Sequence, residues 1–87
     1  MIWKVEFDKK AYKELSKLDK PIQQKIILEL QKVAQLEDPK QYGKALKGEL
    51  TSLWRYRVGD YRIICQFEYS VLVIIAVRIG HRKGIYE

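Results

Sequence analysis

Apolar and polar residues alternate in two stretches of the chain and recur at helical spacing in two others. Trp3, Val5 and Phe7 alternate with Lys4 and Glu6, which predicts an opening strand over roughly residues 2–7. Asp8 is placed to cap a helix running from Lys9 to about Leu18, with Ala11, Leu15 and Leu18 on one face. Asp19-Lys20-Pro21 breaks it, and Pro21 suits the first turn of a second helix. That helix carries Ile22, Ile26, Leu30 and Val33 in one stripe, widened by Ile27 and Ala34, and reaches about Leu36.

The second half changes period. Trp54, Tyr56 and Val58 alternate with Arg55 and Arg57; after Gly59-Asp60, Tyr61, Ile63 and Cys65 alternate with Arg62, Ile64 and Gln66. This is a β-hairpin, with glycine first in a two-residue loop, as a type II′ turn prefers. The loop sets the register: Val58 opposite Tyr61, Arg57 opposite Arg62, Tyr56 opposite Ile63, Arg55 opposite Ile64. A last strand, Val71 to about Ile79, is apolar on both faces and so is expected to lie centrally, ended by Gly80. Lys40 to about Leu50 reads as a loop. The expected architecture is α+β, in the order β-α-α-β-β-β. Two helices pack on one face of a mostly antiparallel sheet, in a single domain over residues 1–87. Trp3, Val5, Phe7, Trp54, Tyr56 and Ile63 would face the helices.

The other face would hold Arg55, Arg57 and Arg62. Like charges directly opposite each other on a sheet are unfavourable by about 0.2–1 kcal/mol. Three guanidinium forks on one face suit a bound phosphate, which they match bidentately. The plainer alternative is a solvated strand face that happens to be basic.

Charge distribution sharpens this picture. The net charge is +6. Residues 1–43 hold nine lysines and seven acids; residues 44–87 hold three lysines, five arginines and four acids. Every arginine thus lies in the second half, which favours a polyanion and nucleic acid first. A membrane surface fits less well, because the basic helices lack an exposed aromatic face. The N-terminus lacks the pattern of a signal peptide, and the apolar run from Val71 to Val77 is too short to span a bilayer. Cys65, the one cysteine, reads as a small core residue, consistent with a reducing cytoplasm.

One Cys and one His cannot build a tetrahedral zinc site, no glycine-rich phosphate loop is present, and the acids do not converge on a site. No cofactor is expected. What remains is a cationic set able to cleave RNA. The ribose 2′-hydroxyl would attack the adjacent phosphorus while Arg55, Arg57, Arg62 and Arg82 stabilise the charge that builds on the phosphorane oxygens. One group must take the hydroxyl proton and another must protonate the leaving oxygen. His81 is the residue type that most often does either near neutrality. Tyr86 could stack on a base or take part in proton transfer. Lys44, Lys47, Lys83 and Arg78 would add RNA contacts. Arg78, inside the apolar strand, also reads as a rim residue whose stem packs on the sheet.

Phe7-Asp8, the two helices, Lys44-Ala45-Leu46-Lys47-Gly48, Trp54 to Ile63, and the ending Gly80-His81-Arg82-Lys83-Gly84-Ile85-Tyr86 together resemble the RelE/ParE superfamily of toxins from toxin–antitoxin pairs. The likeness runs over essentially the whole chain. It implies the RelE-like microbial ribonuclease fold and an endonuclease that cuts messenger RNA in the ribosomal A site. By that resemblance Arg62 would stabilise the transition-state phosphate. Arg82 would aid the leaving group or bind phosphate, and Tyr86 would orient or stack the target nucleotide. Arg55 and Arg57 stand where the best-known RelE-type member has lysines. An arginine almost never gives up its proton. That departure leaves proton transfer to His81, to Tyr86, or to positioning and electrostatics alone. The resemblance also implies an antitoxin, RelB-like, whose acidic amphipathic segment folds across the toxin and whose DNA-binding part reaches the operator. Two other readings stay open: a ParE-type toxin that poisons gyrase without nuclease activity, and a non-enzymatic nucleic-acid-binding module.

Overall fold

The side chain of Asp8 starts the first helix, its Oδ1 accepting the Ala11 N–H at 2.8 Å. In the computed structural model, which describes residues 3–46 and 52–81, β1 (Lys4–Phe7) leads into α1 (Lys9–Ser16) and α2 (Lys20–Ala34), with Pro21 in the first turn of α2. A single 3-10 turn, Pro39–Gln41, follows. Then come β2 (Lys44–Ala45), β3 (Trp54–Val58), β4 (Tyr61–Glu68) and β5 (Val73–His81). Within the described residues the strands form one five-stranded sheet in the order β1-β5-β4-β3-β2, antiparallel except where β1 runs parallel to β5. The fold is α+β, two helices on a mostly antiparallel sheet. No helix among the described residues is long and apolar enough to cross a membrane.

The hairpin has the register that its two-residue loop dictates, Val58 opposite Tyr61 through Arg55 opposite Ile64. Gly59 has φ +58° while Asp60 stays at negative φ, the combination of a type II′ turn. Strand β5 lies between β1 and β4, as its two apolar faces require. The core gathers Ala11 and Leu15 of α1, Ile26, Leu30 and Val33 of α2, and Trp3, Tyr56, Ile63, Cys65, Ile74 and Ile79 from the sheet side. Val5, Phe7 and Trp54 pack against it.

Two expectations need correction. The stretch read as a loop from Lys40 to Leu50 contains the 3-10 turn and the short strand β2. Two residues are too few for any alternation to show, and β2 exists because β3 offers it an edge, Lys44 pairing with Arg55 and Ala45 with Trp54. Gly80 does not end the last strand; it pairs with Arg62 inside β5. Strand β5 also carries an irregularity outside those expectations. Ile64 pairs with Arg78 but Cys65 pairs with Ala76, so Val77 is an extra residue. This bulge shifts the alternation and brings Ile79, rather than Arg78, onto the core side with Ile74 and Ala76.

The bulged end of β5 outruns β1, whose last paired residue is Phe7. Its freed edge is covered by α1 instead. Glu14 Oε1 accepts the Ile79 N–H at 2.7 Å, and Glu14 Oε2 accepts from Arg78 Nε at 3.1 Å. A single carboxylate therefore closes a sheet edge and fixes an arginine.

Candidate nucleic-acid interface

The arginines owe their placement to the β3–β4 hairpin. Arg55 and Arg57 alternate with the buried Tyr56, and Arg57 stands directly opposite Arg62. Alternation sends all three to the face away from the helices. They are not equivalent there. Arg57 is exposed and Arg55 is half-buried, but Arg62 retains only 5% of its surface. Ile64, next on that face, is fully buried yet outside the main core cluster, so the far side of the sheet is partly covered. Gly80, the partner of Arg62 on β5, adds no side chain to this face. A guanidinium cannot shed its proton, so Arg62 is a permanent positive charge held nearly out of water.

A groove of about 280 Å³ opens along the edge of β3 next to the end of β2. Its walls are Lys44 and Gly43 of the β2 edge, Arg55, Tyr56 and Arg57 of β3, Tyr42, and Glu29 from α2. The floor is held in place by hydrogen bonds to the 3-10 turn and the residue after it. The Tyr56 hydroxyl donates to the Pro39 carbonyl at 2.7 Å, and Trp54 Nε1 donates to the Tyr42 carbonyl at 2.7 Å. Lys40 adds a third tie, its Nζ sitting 5.2 Å from the Trp54 ring, 4.9 Å from Phe67 and 5.3 Å from Tyr69. Gly43 has φ +82°, and a Cβ there would run into the Arg55 carbonyl and the Trp54 indole. Only glycine lets the β2 edge approach β3 this closely.

Burial pushes the Tyr56 phenol above tyrosine's ordinary value of 10.0, with Cys65, Asp38, Glu29 and Tyr69 adding to the effect. Burial also pushes the Cys65 thiol up from 9.0. The cysteine is fully buried and stays protonated, a core residue and no nucleophile.

The other expected site residues are distributed unevenly. Lys44 joins Arg55 and Arg57 at the groove. Arg78 is held by Glu14 at the edge of β5. His81 pairs with Tyr61, which packs against the helix-side core, and their rings meet edge to face at 5.6 Å. It lines a second hollow, with Ile22 and Lys25 of α2 and the hairpin turn, and does not line the groove of Arg55 and Arg57. Lys47, Arg82, Lys83 and Tyr86 lie outside the described residues. Among the groove residues that sequence reasoning missed, beside Tyr42, is Glu29. It sits one position before Leu30 of the apolar stripe, where a polar residue draws no notice. Among the described residues no three acidic, histidine or cysteine side chains come together in a way that could hold a metal ion.

The chain matches the family model described as ParE toxin of the type II toxin–antitoxin system parDE over residues 5–86. No curated protein matches by sequence. Among solved structures it is similar to the toxin–antitoxin complex RelBE2 from Mycobacterium tuberculosis, with 25% identity over 94% of this chain and 93% of that one and a TM-score of 0.80. The archaeal RelE–RelB complex from Pyrococcus horikoshii OT3 aligns at 26% identity over 98% and 100% of the two chains, with a TM-score of 0.68. The RelB–RelE antitoxin–toxin complex from Methanococcus jannaschii aligns at 28% identity over 90% and 91%, with a TM-score of 0.70.

Proposed function

From the premise that the chain belongs to the ParE toxin family of type II toxin–antitoxin systems and folds as RelE-type toxins do, we propose that it is a metal-independent, ribosome-dependent mRNA endonuclease that stops translation. The observation that carries this reading is the cross-strand pair Arg57–Arg62, two guanidiniums directly opposed with one nearly wholly buried. Two guanidiniums on neighbouring strands of one face can fork a single phosphate between them, each matching its oxygens bidentately. The 2′-hydroxyl attacks the neighbouring phosphorus, the bond to the 5′-oxygen breaks, and Arg62 stabilises the negative charge of the phosphorane. Arg55 and Arg57 hold the flanking phosphates, with Lys44 at the rim. Arg82 serves the leaving oxygen and Tyr86 the target base. His81 faces Tyr61 on the helix side of the sheet, which argues against it as the proton carrier and leaves that role to Tyr86 or to positioning and electrostatics alone.

The partner is an antitoxin, as in the RelB–RelE complexes that the fold resembles. The basic face calls for an acidic amphipathic segment. A second reading, inhibition of gyrase without RNA cleavage, draws its support from the ParE description of the matching family. Expression without antitoxin, with mRNA 5′ ends mapped before and after induction, separates the two. New ends inside translated codons, lost with Arg62→Ala, are expected. Growth arrest with intact mRNA would replace the nuclease with the gyrase reading.

A further inference from the structure

We propose that the groove beside β2 is a nucleobase subsite in which the Glu29 carboxylate selects guanine in the RNA strand. The proposal rests on the mRNA reading and deepens it by naming a specificity residue. It starts from an oddity of charge. Lys44, Arg55 and Arg57 line the groove, and Glu29 faces them from α2. The carboxylate nonetheless makes no ion pair or hydrogen bond with any of them. Cations and anion therefore stand apart across a space of about 280 Å³ instead of neutralising each other.

A groove made only for phosphate would exclude a carboxylate, since the two repel. Glu29 calls for an uncharged group rich in N–H donors. An ionised carboxylate offers two acceptor oxygens side by side and no donor. Of the four RNA bases only guanine presents two adjacent donors, N1–H and the 2-amino group, on its pairing edge. Adenine and cytosine set one amino group beside an acceptor nitrogen, and uracil sets one N–H between two carbonyls. Single-stranded RNA bases are commonly read on this edge and stacked on aromatic rings. Tyr42, half exposed at the groove wall, supplies such a ring, with Lys32 Nζ 5.5 Å from its centre. Gly43 keeps the wall clear of any side chain.

Position separates this role from chemistry at the cut phosphate. Arg57 lines the groove, whereas its cross-strand partner Arg62 does not. Arg62 belongs to the next strand inward, about 5 Å away. The groove thus serves a nucleotide beside the scissile one, and Glu29 is a specificity-determining residue rather than the proton acceptor.

Binding of fluorescein-labelled, 2′-O-methylated hexaribonucleotides to the purified protein tests this without any cleavage. Two strands are compared, one carrying a single guanosine and one with inosine, which lacks the 2-amino group, in its place. The guanosine strand should bind about tenfold more tightly, the lower range for one bidentate base contact. Glu29→Gln should bind both strands equally, with unchanged helicity. Arg57→Ala should weaken both by the same factor. Equal binding of the two strands by the unaltered protein would overturn the proposal. So would a guanosine preference that survives Glu29→Gln, or displacement from the groove only by acidic peptides. A guanosine preference in a protein that leaves cellular mRNA intact would sink the nuclease reading alone. Cut mRNA without the preference would sink the subsite alone.

Discussion

On the helix side of the sheet, Tyr56, Ile63, Cys65 and Ile79 are buried among apolar side chains that ask only for matching shape. On the far side, one residue away along the same strands, Arg57 faces Arg62 and Lys44 faces Arg55. The first face gains its stability from area removed from water. The second sets like charges against one another across neighbouring strands. Neighbouring residues of one hairpin are thus assigned to two tasks by the two-residue period of a strand. Burial does not follow the division cleanly, since Arg62 is about as well buried as the apolar residues beside it.

The largest effect should come from breaking the helix side. Ile63→Ala removes a fully buried side chain from the middle of the core and should cost about 2–5 kcal/mol, read by denaturant unfolding. Arg57→Ala, next to Ile63's cross-strand partner Tyr56 but on the far face, should change stability by no more than about 0.5 kcal/mol while weakening toxicity. Loss of stability at both positions would erase the distinction between the faces.

Gly43→Ala tests the boundary between them. A left-handed φ and a Cβ driven into the Arg55 carbonyl should cost about 1–3 kcal/mol and detach β2, closing or deforming the groove. Hydrogen exchange at the Lys44 and Leu46 amides reads this directly. Unchanged protection there would mean that the β2 edge tolerates a side chain.

The smallest effect concerns pH. Tyr56 and Cys65 are held neutral in the folded protein, with values raised above the ordinary 10.0 and 9.0. For a group raised by folding, the stabilisation is complete below the unfolded value and is lost as pH rises through the folded one. Stability should therefore be level through neutrality and begin to fall above about pH 9, with a steeper decline beyond about pH 10. Tyr56→Phe should flatten the upper part of the decline. It should also lose about 1 kcal/mol at neutral pH with the hydrogen bond to the Pro39 carbonyl. A decline of equal slope in that variant would move the alkaline sensitivity elsewhere.

What the chain determines by itself is whatever depends on near neighbours. The two helices follow from apolar spacing, Asp8 and Pro21 mark their starts, and the hairpin register follows from a two-residue loop. The central place of β5 follows from its unbroken apolar run. These rest on dihedral preferences and on periods of 2 and 3.6, which are local quantities. Tertiary structure alone decided the rest. Strand β2 exists only as an addition to β3, and Gly80 is a strand residue only because Arg62 lies opposite it. A bulge at Val77 selected Ile79 for the core, and Glu14, 64 residues before Arg78 in sequence, supplied the carboxylate that closes the edge this left. Glu29 became a groove residue because α2 brings it to the wall it shares with β2 and β3, and His81 was parted from Arg55 and Arg57 by the side of the sheet it fell on. Each of these depends on which distant backbone completes a hydrogen bond or a wall, and no pattern among neighbouring residues encodes that.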